Sequence, residues 1–467
     1  MSHRKLWVLV SLLITVSLVL AACAQPTPQV VKETVVVTQV VEKPVEVTKV
    51  VEKEKTVEVT KVVEKEVPAS RGVVTVLGVW GGDELSAFQE AVFPFTEETG
   101  IGMAFEGTRD LAAVLTTRVE AGNPPDLAIL PNPGQMRELA AAGKLVPIDT
   151  FMDMDALKKN YAQAWLDLAS YDGKLYGIFY KVANKSLVWY NPKAFEAAGY
   201  QVPTTWDELI ALSDQIVADG GTPWCIGLES GAASGWPGTD WIEDIMLRTA
   251  GPEVYDKWVN HEIPWTDPAI KRAWELFGQI ARNEDYVYGG TTGVLSTFFG
   301  DSPAPMFDDP PGCYMHRQAS FITGFFPEGV VAGEDYDFFP FPPIDEQWGT
   351  PVLGGADLIV MFNDTPEARK LMEYLASPKP QEIWAGKGGF ISPNKAVSLD
   401  AYPDELTRKI AQAVVSAEVF RFDASDLMPA AVGAGSFWTG VLDYVGGADL
   451  DAVLEEIEAS AQDAYGQ

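Results

Sequence analysis

Beyond residue 72 the chain alternates between two hydrophobic rhythms. "VVTVLGVW" (73–80) is an apolar run of buried-strand length, closed by Gly81–Gly82. From Leu85 to Thr96 the apolar positions return at the spacing of a helix with one buried face. "DLAAVLTTRVEAG" (110–122) repeats that spacing, with Asp110 near its start and Gly122 as its stop. "PPDLAILP" (124–131) is a second buried-type strand, and "GQMRELAAAG" (134–143) is the helix after it. Strands alternating with helices predict an α/β fold on a mostly parallel sheet, whose ligands bind outside the C-terminal ends of the strands.

Before residue 72 the pattern is of another kind. Arg4 and Lys5 precede an apolar run from Leu6 to Leu20 that ends in "LAAC" (20–23). The run is too short for a comfortable membrane span and fits a signal peptide over 1–22. "LAAC" resembles a bacterial lipobox, which predicts a lipid on Cys23 and anchoring without a transmembrane helix. In 23–70, "VTQVVEK" (37–43) returns as "VTKVVEK" at 47–53 and at 59–65. Such a mixture of Val, Thr, Glu and Lys cannot bury a core. It predicts a charged spacer that lifts the body off a membrane.

Charge and composition narrow the function. The formal net charge is −32, and nearly all of it sits beyond the spacer, so nucleic acid is excluded as a partner. With Cys23 acylated, only Cys225 and Cys313 remain, and in an oxidising compartment they predict one disulfide. The chain has three histidines and no Cys or His pairs at metal spacing, so neither a metal nor another cofactor is expected. "GDSP" (300–303) has the Gly-Asp-Ser of certain esterases, but no histidine follows His316 and no G-x-S-x-G occurs. A lipid-anchored glycoside hydrolase is the alternative, because paired carboxylates have no fixed spacing in sequence.

Three long segments carry a family likeness. They are "AGNPPDLAILPNPGQMRELAAAGKLVPID" (121–149), "GKLYGIFYKVANKSLVWYNPKAFEAAGYQVPTTWDELI" (173–210) and "TPEARKLMEYLASPKPQEIWAGKGGFISPN" (365–394). In that order they resemble the sugar-binding lipoproteins of bacterial ABC importers, the maltose-binding-like group of extracellular solute-binding proteins. "PWCIGLESG", "GCYMHRQ" and "SDLMP" add a likeness to the α-glucoside-binding branch. The resemblance implies a two-lobed periplasmic-binding-protein fold of type II, with lobe one over 73–183 plus 338–389 and lobe two over 184–337 plus 390–467. The chain would cross between lobes near 182–186, 336–340 and 388–392. A neutral sugar, an α-glucoside or other disaccharide or oligosaccharide, would close the lobes about a hinge and pass to a membrane permease. No G-x-x-x-x-G-K-[ST] occurs, so the importer's ATPase belongs to a separate chain.

Sugars present hydroxyls at the rim and C–H patches on the faces, and are held by acids, amides and Arg together with aromatic rings. Position selects Trp80, Gly81 and Asp83 after the first strand, Arg109 and Asp110 after "MAFEGT", and Asn132 after the Pro-Asp strand. Asn184 and Lys185 lie at the first crossing. Trp236 and Asp240 come from the Gly-rich stretch "SGWPGTDW" (234–241), in which either Trp236 or Trp241 faces the ligand. Asp308 and Asp309 follow "APMF", read as a strand; Gly355 and Asp357 sit in "PVLGGADLIV", and Arg421 and Asp423 in "FRFDASD". Asp126, ahead of its strand, is read as a brace rather than a ligand contact.

Overall fold

The computed structural model describes residues 72–466; the expected signal peptide, the lipidated Cys23 and the spacer lie outside the described residues. The fold is that of the compact unit Gly72–Thr96 with Ile101–Gln467. Its strands are β1 Val73–Gly78, β2 Gly102–Gly107, β3 Leu127–Leu130, β4 Ser170–Tyr171, β5 Lys174–Leu175, β6 Gly177–Asn184, β7 Leu187–Tyr190, β8 Met315–Arg317, β9 Asp337–Pro340, β10 Val352–Met361 and β11 Phe420–Phe422. β11, β10, β3, β1 and β2 lie side by side in a six-stranded sheet that β6 joins by pairing with β10. β1 is parallel to β2 and β3, and β10 to β11; β10 is antiparallel to β3 and β6.

The alternation read over 73–143 is present. Helices Gly82–Thr99, Leu111–Glu120 and Pro133–Ala141 follow β1, β2 and β3 in turn. All four residues of β3 are buried, as a strand covered on both faces requires. Asp126 braces this sheet: its carboxylate accepts from Thr75 N and Thr75 Oγ1, both at 2.8 Å, and from Asn363 Nδ2 at 3.1 Å.

A second, three-stranded antiparallel sheet, ordered β8–β7–β9, carries a largely helical second core. Trp224, Trp241, Trp258, Trp265 and Trp274 are buried there. Large aromatics dominate burial, so most tryptophans are spent on the core. In the "TTWDEL" segment Thr205 caps helix Trp206–Ala218 by accepting from Glu208 N at 3.2 Å, and Glu208 accepts in return from Thr204 N at 2.7 Å. That exchange satisfies backbone donors a helix start leaves open. Cys225 and Cys313 form the expected disulfide, with Cα atoms 5.6 Å apart. It stands beside a backbone bond from Cys225 N to Met315 O of 2.8 Å.

One element differs from the sequence reading. "APMF" is not a strand but a 3₁₀ turn, Ala304–Phe307. Pro303 and Pro305 lack the N–H groups that ladder pairing needs. Asp308 and Asp309 after it are exposed.

Candidate functional site

The C-terminal ends of β1, β2 and β3 open onto a cavity of about 320 Å³, within the usual range for small-ligand sites. Trp80 follows β1, Arg109 and Asp110 follow β2, and Asn132 follows β3, so parallel strands bring residues distant in sequence to one rim. Gly355 and Asp357 of β10 line the floor, with Lys185 just beyond β6, Asp423 just beyond β11, and Trp236. These sequence candidates meet in one place.

Others do not. Gly81 and Asp83 are exposed in the first turn after β1, outside the lining. Asp308 and Asp309 lie away from the cavity on the turn described above. Arg421 makes a two-pronged ion pair with Asp256, at 2.7 and 2.8 Å, and is engaged there. Asn184 is buried behind the cavity, where its Oδ1 accepts from Ser186 N at 2.9 Å. Asp240 stands one layer below the lining and reaches it through Lys185.

Two aromatic walls differ in kind. Trp80 is only 2 % exposed and belongs to an aromatic cluster, edge-on to Trp384 at 4.7 Å between ring centres. Its Nε1 donates to Asp357 Oδ2 at 3.1 Å. Trp236 is half-buried and leans edge-on against Phe299 at 5.1 Å, leaving ring surface on the cavity. Of the two tryptophans, Trp236 lines the cavity, while Trp241 is 1 % exposed and packs on Trp224 in the second core. Gly235, at φ +107°, starts the helix Trp236–Thr249 that presents Trp236.

Sequence reasoning missed Lys181, Asp426 and Trp438, which also line the cavity. Lys181 lies mid-strand in β6, where every residue is buried, and so reads as core. Its ammonium pairs with Glu84 and sits 5.2 Å from the ring centres of Phe321 and Trp384. Asp426 lines the cavity and accepts from Asn132 Nδ2 beside it. Trp438 enters from the π-helical turn Ala431–Phe437 and the helix Trp438–Val445 that continues it; its indole N–H is buried without a partner. π-helical turns of this type gather at functional sites, but their sequence carries no distinct period.

Lys185 anchors the charged floor. Its Nζ donates to Asp240 Oδ1 at 2.8 Å and to Asp423, and lies 5.5 Å from the centre of the Trp236 ring. Burial pulls the Lys185 pKa down, but Asp240, Asp423, Asp426 and Glu243 together raise it well above the usual lysine value. Burial pushes Asp240 up to about 7 against the pull of Lys185. Burial, reinforced by the charge of Asp423, pushes Glu243 and Asp426 well above the carboxylate range. Asp423 moves the other way: burial works against its charge, yet Lys185 and the neighbouring Glu243 and Asp240 hold it below that range. Burial also lifts Asp357, to about 6. Among the described residues, Asp240, Glu243 and Asp423 have oxygens close enough to share a metal ion, but Lys185 already supplies a cation to two of the three.

Arg109 offers the cavity a guanidinium stacked 5.0 Å from the Phe299 ring centre. Burial lowers its pKa, against the charges of Glu84 and Asp357. The site therefore offers donors, acceptors and the indole rings of Trp80, Trp236 and Trp438 in a small space. That is an arrangement for holding a polar molecule.

Comparison with known proteins agrees. The family described as bacterial extracellular solute-binding protein matches residues 90–412. The osmoprotective compounds-binding protein of Synechocystis sp. is 52% identical over 390 residues, 84% of this chain and 92% of that one. The alpha-glucosides-binding periplasmic protein of Rhizobium meliloti is 48% identical over 395 residues, 82% of this chain and 86% of that one. A solved chitin oligosaccharide binding protein shares the two-lobed fold at a TM-score of 0.74 and 20% identity, covering 85% of this chain and 99% of its own. The glycoside hydrolase alternative finds no support among them. From the cavity at the strand ends and from these matches, the chain belongs to the bacterial extracellular solute-binding proteins, the extracytoplasmic binding components of ABC importers.

Proposed function

We propose that this protein captures a neutral sugar, an α-glucoside or other disaccharide or oligosaccharide, and delivers it to a membrane permease without altering it chemically. The single observation that carries the reading is the pairing of Trp236 and Trp438 with acids, Asn132 and Arg109 around one cavity of about 320 Å³. Rings cover C–H faces while carboxylates and guanidinium take hydroxyls. The volume favours one or two sugar rings over a long oligosaccharide. The curated relative named for alpha-glucosides supports the same class.

The lobes close about the segments that leave β6, enter β10 and leave β11. The partition 73–183 plus 338–389 and 184–337 plus 390–467 is kept with two changes. β9 pairs with β7, and Phe339 and Phe341 pack in the second core, which favours assigning 338–351 to lobe two. Phe390, Tyr402, Leu406 and Ile410 pack in the first core, which favours assigning 390–422 to lobe one. A lipid on Cys23 and the spacer over 23–70 hold the body near the permease, and the ATPase is another chain. A thermal-shift screen with trehalose, sucrose and maltose tests the reading. A ligand at a hundred times its Kd adds about 2.7 kcal/mol of stability. No shift with any of them, or turnover of one, overturns it.

A further inference from the structure

The helix Trp236–Thr249 is buried from Pro237 to Arg248, yet it carries Asp240, Glu243, Asp244 and Arg248 on that buried stretch. Buried charges are costly unless paired. Here each is bonded to a segment that joins the six-stranded sheet to the second core. Asp240 holds Lys185, just past β6. Asp244 accepts from Ser186 Oγ at 2.8 Å, and that hydroxyl in turn accepts from Leu353 N of β10 at 2.8 Å. Arg248 donates to the carbonyls of Phe341, Pro342 and Pro351 at 2.9 to 3.1 Å, ahead of β10. Glu243 accepts from Ala424 N and Ser425 N, both at 3.1 Å, just past β11.

The same helix begins in the cavity. Trp236 is its first residue, and Lys185, bonded to its second turn, also lines the cavity. A molecule lying against Trp236 and Lys185 thus touches one end of a rod whose other contacts fix every one of these joining segments.

We propose that the helix Trp236–Thr249 transmits occupancy of the cavity to the segments joining the lobes, with Ser186, Asp244 and Arg248 as positioning residues that set the balance between open and closed forms. None of these three lines the cavity, so they act through the helix and through Lys185 rather than on the ligand. The inference rests on the sugar-binding reading for its ligand arm only. A ligand shifts an equilibrium by its differential contacts, and a change in the population of the competent form changes the apparent Kd by the same factor.

The test uses the full chain as wild type, Ser186→Ala and Asp244→Asn. Small-angle scattering is recorded without sugar and with saturating trehalose, sucrose or maltose, and Kd is measured by calorimetry. Melting curves report folding of each variant. Ser186→Ala removes one hydroxyl and serves if Asp244→Asn does not fold. The expected result is a changed radius of gyration in the sugar-free variants and a Kd altered about threefold or more for the sugar that binds. Variants that melt lower, yet scatter as wild type and bind with its Kd, overturn the proposal. If wild type binds none of the sugars, the sugar reading fails separately. Sugar-free scattering then decides alone, and superimposable profiles from the three proteins overturn the proposal.

Discussion

Trp80 Nε1 donates to Asp357 Oδ2 at 3.1 Å, joining the end of β1 to the middle of β10. At Asp357 the register between β10 and β6 slips, and its partner there is Lys181. Register slips of this kind re-aim side chains beside sites. The bond holds a carboxyl that burial raises from 3.8 to about 6. The folded protein thus binds this proton more tightly than the unfolded chain does. The group's stability contribution is fully present below the unfolded value and is lost as pH rises through about 6. Asp357 keeps some cavity exposure, so the shift is discounted to about 1–2 kcal/mol of strain at neutral pH. Asp357→Asn, whose amide oxygen still accepts from Trp80, is expected to be more stable than wild type by that amount at pH 7.5 and equal to it at pH 4. Its sugar affinity falls at both. Urea unfolding across that range checks it; an equal difference at every pH would remove burial of charge as the cause.

Trp236 and Trp241 lie five positions apart on one helix and have opposite roles. Trp236→Ala is expected to weaken sugar binding by about 2 kcal/mol, roughly thirtyfold, with a small effect on melting. Trp241, 1 % exposed between Trp224 and Phe341, is a core residue. Trp241→Ala is expected to cost about 3–5 kcal/mol of stability. Calorimetry and melting on both variants separate the roles, and equal loss of binding in the two would contradict the assignment.

The disulfide joins positions 88 apart, and both cysteines are fully buried. Closing a loop of that length stabilises by about 4–5 kcal/mol in the chain-entropy account. The double variant Cys225→Ala/Cys313→Ala is expected to lose up to that much in urea unfolding while retaining the Kd of wild type, because neither residue lines the cavity. Labelling of either thiol in native, unreduced protein would show that the bond is not formed.

Much of the site was legible because parallel strands place residues by a simple rule. Trp80 and Asn132 each follow a strand whose apolar run is plain, and the rule that ligands sit at such ends selected them; Arg109 follows β2, whose run is short and only partly buried. Lys181 obeys no such rule. It stands inside a strand and turns inward, tolerated by Glu84 and three aromatic rings that come from elsewhere in the chain. Asp308 and Asp309 lie outside the cavity for the converse reason: two prolines turn an apparent strand into a 3₁₀ turn. Trp438 was lost among fourteen tryptophans, because the π-helical turn that aims it has no sequence period. Helix and strand follow from local spacing; which buried charge finds a partner depends on contacts between residues far apart in sequence.

Gly235 links the two cavity tryptophans through the backbone. It sits at φ +107°, a conformation that side-chain-bearing residues rarely adopt, and a Cβ there would run into the Trp438 carbonyl oxygen. Gly235→Ala must therefore both strain its own backbone and push the turn carrying Trp438 away from the start of the helix carrying Trp236. Strain at such a φ costs about 1–3 kcal/mol, which the fold survives. The cavity does not survive it unchanged, since its two exposed indole faces are displaced relative to each other. Gly235→Ala is expected to fold with a lowered melting temperature and to lose sugar affinity at least tenfold. The nearby Gly231→Ala, also at positive φ but with only Arg109 Cβ near its added methyl, is expected to lose stability with a smaller loss of affinity. Titration of both variants with the sugar that shifts wild-type melting checks this. If Gly235→Ala binds as tightly as Gly231→Ala, the spacing of Trp236 and Trp438 is not what the ligand reads.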